Sequence, residues 1–115
     1  MKLTAGKIKE CLCNTPQITF EITEKCNLNC LYCGYGKLYS DKDPRKNRDL
    51  PVRWAMDFLN YMAGLWKTEY NTSARNNVHV SFYGGEPLIN FGFIEHCLFY
   101  DNQCPFITQV LGLYC

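Results

Sequence analysis

The sequence has little net charge and no long apolar run, and each absence excludes a class of protein. Its 115 residues carry a formal net charge of only +1, whereas proteins that bind nucleic acids or membrane surfaces through charge usually have a strong basic excess. No window approaches the roughly 20 apolar residues that a membrane-spanning helix requires. We therefore expect neither a nucleic-acid nor a membrane partner, and the length predicts one small domain.

Cysteine, by contrast, is abundant, with eight residues. In a secreted protein so many cysteines would predict a disulfide framework. The first ten residues, however, contain lysines where a signal peptide needs an unbroken apolar stretch, so we expect no export and a cytoplasmic location. In the reducing cytosol the cysteines are predicted to bind metal or to remain free thiols.

Alternation of apolar and polar side chains predicts two strands, at residues 17–24 and 78–83. Residues 34–49 follow neither the strand period nor the helix period, and they predict a long exposed loop. Residues 106–114 are a candidate third strand. Together with the helices described next, this order predicts an α/β fold with parallel strands.

Two helices are predicted between and after these strands, at residues 51–66 and 91–100, where apolar side chains recur at helical spacing. Asp49 is expected to cap the first helix, with Pro51 in its first turn. The buried side of the second helix is expected to carry Ile94, Cys97 and Leu98.

The most informative feature is a CxxxCxxC run directly after the first predicted strand, made by Cys26, Cys30 and Cys33. The spacing places three thiolates on one short loop, enough to bind three irons of a cubane cluster but one ligand short of completing it. An iron without a protein ligand can bind and activate a small molecule. Two other interpretations stay open: a zinc site that adds Cys11 or Cys13, and structural thiols without metal.

This run resembles the cluster loop of the radical S-adenosylmethionine (SAM) enzymes, which has the form CxxxCxφC, with φ aromatic, and follows the first strand of a partial (β/α)6 barrel. Cys26, Cys30, Tyr32 and Cys33 match it position for position. These enzymes also commonly carry a GGE-type motif after their second strand. Here a Gly-Gly-Glu-Pro run at residues 84–87 follows the second predicted strand.

The resemblance implies that the three loop cysteines bind a 4Fe-4S cluster whose fourth iron is chelated by SAM. One electron from the reduced cluster would cleave SAM to methionine and a 5′-deoxyadenosyl radical, which abstracts hydrogen from the substrate. The residues expected to bind SAM are Tyr32, Gly84, Gly85, Glu86 and Pro87. The glycines would let the backbone approach the cofactor closely, and Glu86 would accept from its ammonium group.

Each of these SAM-binding assignments has a structural alternative. The glycine run could form an ordinary tight turn ahead of a helix, with Glu86 complementing the helix dipole. Tyr32 could pack in the loop. Both motifs are nevertheless expected at the carboxyl ends of adjacent parallel strands, where β/α barrels place their active sites.

The resemblance covers residues 17–97. These residues contain fewer strand–helix units than the family's barrel, so we expect the chain to be the N-terminal portion of a truncated enzyme. We divide the chain into an N-terminal extension (1–16), a core fragment (17–100) and an apolar tail (101–115), which is either a third strand or a non-native end. A shortened chain keeps the cluster loop but lacks strands that help hold cofactor and substrate. Catalysis is therefore expected of the full-length parent, and this chain could be inactive.

Two classes of function follow. The first is an oxidoreductase-type radical SAM enzyme, similar to the subgroup that matures peptides and proteins, the SPASM or sulfatase-maturase-like enzymes. That similarity implies a peptide or protein substrate and an electron donor such as flavodoxin or ferredoxin. The second is a non-catalytic iron–sulfur or zinc module that uses the same loop for electron transfer or structure.

Overall fold

The computed structural model describes most of the chain as one α/β unit. Its described residues are 2–28, 30–33, 46–72, 78–101, 103–105 and 107–114. In chain order the elements are α1 (Ala5–Cys13), β1 (Gln17–Thr23), α2 (Val52–Trp66), β2 (Val78–Gly84), a 3₁₀ helix (Pro87–Asn90), α3 (Phe91–Asp101) and β3 (Ile107–Tyr114). None of the helices in these ranges combines the length and apolar character needed to cross a membrane.

The three strands form one parallel sheet in the order β1, β2, β3. In the register of β1 and β2, Gln17 lies opposite His79 and Glu21 lies opposite Tyr83. The α/β prediction, with parallel strands and a third strand near the end of the sequence, is confirmed. A six-unit barrel contains more strands than these three, so the barrel stays a prediction.

The core lies between the sheet and helices α2 and α3. Side chains of β1 alternate strictly from Gln17 to Ile22 between exposed and buried, as expected for a strand with one covered face. At the centre, the ring of Phe93 from α3 packs edge-on against Phe20 and Phe82, with centroids 6.0 and 6.1 Å apart. Such pairs are among the strongest contacts that aromatic side chains make in a core.

Helix α2 begins at Val52 with Pro51 in the capping position, and it has no side-chain cap. The prediction that Asp49 caps this helix is therefore wrong. The Asp49 carboxylate instead accepts from the hydroxyl of Thr23 at 2.6 Å and from Nζ of Lys25 at 2.8 Å. A carboxylate with two such donors gains more than it would from the exposed amides of a first turn.

Helix α3 buries Phe93, Ile94 and Cys97, whereas Leu98 is 43% exposed. The prediction for Ile94 and Cys97 is confirmed, and that for Leu98 is wrong. The buried stripe is centred on Phe93 and Cys97, which are four residues apart and so lie one above the other on a helix. Leu98 falls beyond the edge of that stripe.

An N-terminal helix, α1, was not predicted and packs against α2. Thr4 caps it by accepting from the amide of Lys7 at 3.3 Å. At its other end the buried thiol of Cys13 donates to the carbonyl of Leu65 at 3.4 Å, and the side-chain amide of Asn14 donates to the carbonyl of Tyr70 at 2.9 Å. The N-terminal segment is therefore attached to α2 and the turn that follows it.

The predicted loop at residues 34–49 falls largely outside the described residues, which resume at 46. Its last part pairs antiparallel with the outer edge of β1. The amide of Glu24 donates to the carbonyl of Arg48 at 2.8 Å, the amide of Leu50 donates to the carbonyl of Ile22 at 3.0 Å, and Thr23 and Asp49 form the bridge between them. The outer edge of β1 is thus covered at its carboxyl end.

We expect Phe93→Ala to destabilise the fold by about 3 to 5 kcal/mol, because it removes a ring that is only 1% exposed and contacts both β1 and β2. Phe99→Ala is the matched control on the same helix, since Phe99 is 71% exposed, and it should change the free energy of unfolding by less than about 0.5 kcal/mol. Urea unfolding of both variants measures this; equal effects would contradict the position assigned to α3.

Candidate functional site

The three cysteines of the CxxxCxxC run lie on the loop that leaves the carboxyl end of β1. The amide of Leu28 donates to Sγ of Cys26 at 3.3 Å, which folds the first part of the loop over that sulfur. The amide of Cys33 donates to the carbonyl of Cys30 at 3.1 Å and closes a turn between the last two cysteines. Tyr32 stands at the tip of this turn and is 82% exposed.

The three loop cysteines are all half-buried. In the part of the chain that the structure describes, no group of three or more cysteine, histidine or acidic side chains is close enough to hold a metal ion. The structure therefore places Cys26, Cys30 and Cys33 on one loop without bringing their sulfurs together. The donor set itself, three accessible thiols within eight residues, fits the soft ligands that iron–sulfur clusters require.

The glycine run after β2 lies directly against the start of the cysteine loop. The amide of Gly85 donates to the carbonyl of Thr23 at 3.1 Å, and the amide of Glu86 donates to the carbonyl of Lys25 at 2.9 Å. These two bonds extend the pairing of β1 and β2 beyond the strands. The motifs, which are about 50 residues apart in sequence, thus meet at the carboxyl edge of the sheet.

The two glycines are required by this close approach. A β-carbon on Gly84 would collide with the carbonyl oxygen of Thr23, and Gly84 also has a φ of +154°. A β-carbon on Gly85 would collide with the carbonyl oxygen of Lys25 and lie 2.9 Å from the β-carbon of Cys26. The glycines therefore bring two backbones together, a role distinct from the predicted approach to a cofactor.

Glu86 and Pro87 begin the 3₁₀ helix that follows. The carboxylate of Glu86 accepts from the amide of Leu88 at 3.3 Å and so caps this helix, while Pro87 is buried in its first turn. The alternative drawn from the sequence, a turn ahead of a helix with Glu86 at its N-terminus, describes this local geometry. A carboxylate accepts several hydrogen bonds, so capping is compatible with a second role.

Two ion pairs flank the start of the cysteine loop on the side away from β2. Lys25 and Asp49 pair at 2.8 Å, and the hydrogen bonds from Lys25 and Thr23 hold the pKa of Asp49 below its usual value. Arg48 donates to both carboxylate oxygens of Glu24 at 3.1 Å, which lowers the pKa of Glu24 to about 2. This group was not predicted, because Thr23 continues the apolar–polar alternation of β1 in the sequence and only the structure shows that it is buried.

The other cysteines that the structure describes belong to other segments of the fold. Cys13 is buried against α2, and burial raises the pKa of its thiol. Cys11 is exposed on α1, and Cys97 and Cys104 are buried. A zinc site built from Cys11 or Cys13 with the loop cysteines is thus not assembled within the described residues.

Similarity to known proteins is consistent with this arrangement. The chain is 32% identical to the radical SAM cyclopropyl synthase TigE of Paramaledivibacter caminithermalis, over 75% of this chain and 19% of that protein. It is also 32% identical to an uncharacterised protein of Methanocaldococcus jannaschii, over 75% of this chain and 24% of that protein. These similarities support a radical SAM relationship for the chain.

The chain spans 24% of the Methanocaldococcus protein and 19% of TigE, less than a quarter of the length of either curated relative. No protein-family model matches it. No solved structure matches it either.

We expect Cys11 to react rapidly with iodoacetamide in the native protein and Cys13 to stay protected until the protein unfolds. The reactive species is the thiolate, and burial both raises the pKa of Cys13 and blocks access to it. Peptide mass spectrometry after timed labelling gives the two rates. Equal rates would show that α1 does not dock on α2 as described.

Gly85→Ala should destabilise the protein by about 1 to 3 kcal/mol, because the added methyl group forces the segment after β2 away from Lys25 and Cys26. Gly64→Ala is the matched control: Gly64 is an exposed residue of α2 with no atom within 4 Å of an added β-carbon, so the change should stabilise by about 0.4 to 1 kcal/mol. Thermal or urea unfolding measures both. Two variants of equal stability would argue against the close approach of the two backbones.

Proposed function

We propose that this chain is the N-terminal part of a radical SAM enzyme that carries a 4Fe-4S cluster and SAM at the carboxyl edge of its sheet. The cluster ligands are Cys26, Cys30 and Cys33, and the SAM-binding residues are Tyr32, Gly84, Gly85, Glu86 and Pro87. The observation that carries the proposal is the direct contact of the two motif segments, through the hydrogen bonds from Gly85 and Glu86 to Thr23 and Lys25.

The loop provides three thiolates, and three thiolates suffice for all but one iron of a cubane cluster. The backbone hydrogen bond between Cys33 and Cys30 closes a turn that carries both of the last two proposed donors. Cys26 is the donor next to the glycine run, since an added β-carbon at Gly85 would lie 2.9 Å from its β-carbon. A ligand held by Cys26 would therefore stand beside Gly85 and Glu86.

When bound and reduced, a cluster of this kind supplies one electron for cleavage of a carbon–sulfur bond of SAM. The chain's own residues would bind and orient SAM. Glu86 is fixed through its backbone amide and by its cap on the 3₁₀ helix, so its carboxylate has little freedom to lose when it accepts from the ammonium group of SAM. Tyr32, exposed at the loop tip, offers an aromatic face to the adenine end of the cofactor.

The larger enzyme is proposed to be a partial (β/α)6 barrel whose further strands follow β3. We propose a peptide or protein as its substrate and a flavodoxin or ferredoxin as its electron donor, following the family resemblance. A cytoplasmic location accords with this chemistry, since thiolate ligands need a reducing compartment.

Anaerobic reconstitution of the purified chain with iron and sulfide tests the proposal. We expect a brown protein with an open-site 4Fe-4S spectrum that changes when SAM is added. Cys30→Ala should lose the cluster because it removes one of three donors. Cys11→Ala is the matched control, since Cys11 is an exposed thiol outside the loop, and this variant should assemble the cluster as the wild type does.

Three outcomes would overturn the proposal. One is a colourless protein that retains only zinc, as the non-catalytic zinc module requires. Another is a cluster that forms with four protein ligands and does not respond to SAM. The third is equal cluster loss in Cys11→Ala and Cys30→Ala. Detection of 5′-deoxyadenosine after reduction would further show that the short chain itself is active.

A further inference from the structure

Residues 23–25, which lead into the cysteine loop, are bonded on both sides. On one side the carbonyls of Thr23 and Lys25 accept from the amides of Gly85 and Glu86. On the other side the amide of Glu24 donates to the carbonyl of Arg48, a residue of the segment that precedes α2. The segment that precedes Cys26 is therefore held between the glycine run and the strand-like residues 48–50.

Asp49 connects these two sides through its side chain. One carboxylate oxygen accepts from the hydroxyl of Thr23 at 2.6 Å, and the other accepts from Nζ of Lys25 at 2.8 Å. The Thr23 hydroxyl oxygen also accepts from the amide of Lys25 at 3.1 Å. The residues that Asp49 holds are thus the same two whose carbonyls hold Gly85 and Glu86.

The bond to Thr23 is the stronger part of this network. Thr23 is only 1% exposed, so loss of its partner would leave a buried polar group unsatisfied, which is costly. The pair of Lys25 and Asp49 is more than two-fifths exposed on both sides, and surface ion pairs contribute little. Removal of the Thr23 hydroxyl is therefore the sharpest way to test what Asp49 does.

We infer that Asp49 is a positioning residue, which acts through Thr23 and Lys25 to fix Cys26 against Gly85 and Glu86. The consequence of this positioning for catalysis rests on the proposed function. The side-chain partners of Asp49 described above, Thr23 and Lys25, precede the cysteine run. The Asp49 carboxylate determines whether the cysteine loop and the glycine run share one site, so the affinity for SAM depends on a residue outside the binding site.

The first test uses the metal-free protein and needs no cofactor. Hydrogen–deuterium exchange should be at least about tenfold faster at the amides of Gly85 and Glu86 in Thr23→Val and Asp49→Ala. In both variants the residues whose carbonyls accept from these amides, Thr23 and Lys25, lose hydrogen bonds that hold them in place. Thr23→Ser keeps the hydroxyl and should restore protection. The matched control is Glu24→Gln, which breaks the neighbouring ion pair with Arg48 without touching Thr23, Lys25 or Asp49.

Wild-type protection of both amides in Thr23→Val and Asp49→Ala would overturn the inference. Equal acceleration in Glu24→Gln would overturn it too, since any loosening of residues 48–50 would then have the same effect. Exchange in the middle of β2 serves as an internal reference, because a general loss of stability would accelerate exchange there as well. Asp49→Ala keeps Thr23 in place, so it gives a reading even if Thr23→Val does not fold.

The second test uses the reconstituted protein and reads SAM binding from the change in the electron paramagnetic resonance spectrum of the reduced cluster. Thr23→Val and Asp49→Ala should bind SAM about tenfold more weakly, a loss of about 1.4 kcal/mol, with iron content equal to that of Glu24→Gln. Unchanged SAM affinity in both variants would overturn the catalytic part of the inference. Failure of the wild type to assemble a SAM-responsive cluster would instead overturn the proposed function and leave the exchange test to decide the role of Asp49.

Discussion

The close approach of two backbone segments at the carboxyl edge of the sheet is the constraint on which the candidate site depends. Parallel pairing of β1 and β2 ends where side chains would normally push the following loops apart. Glycine at positions 84 and 85 removes that obstacle, and the pairing continues through Thr23 and Lys25. Two loops that would otherwise diverge, as loops after parallel strands usually do, form one surface.

Strands β1 and β2 and helix α2 could be predicted from the sequence because apolar residues alternate with polar ones in the strands and recur at helical spacing in the helix. Asp49 shows where such reasoning stops: a capping residue placed before a helix is a local pattern, but the hydroxyl of Thr23, 26 residues earlier in the sequence, is a better partner. Leu98 shows the same limit within a helix, since the width of a buried stripe depends on how the helix packs. Helix α1 was missed because its apolar pattern is weak, although Thr4 and Asn14 mark its ends.

The residues proposed for the candidate site follow from the sequence, but their arrangement in space does not. The spacing of Cys26, Cys30 and Cys33 identifies a donor set, and the strand before it fixes where the loop starts. The sequence does not predict how the three sulfurs would come together. Thiolates repel one another unless a cation neutralises them, so metal binding is coupled to the folding of such loops. The fold positions the backbone before Cys26 through the bonds of Thr23 and Lys25, and a backbone hydrogen bond closes a turn between Cys30 and Cys33.

Residues 48–50 have one more consequence for the whole architecture. By pairing with the outer edge of β1, they occupy the hydrogen-bonding groups that a last strand would need in order to join a fully closed cylinder of strands. A further strand therefore cannot pair with the carboxyl end of β1, where the cysteine loop begins.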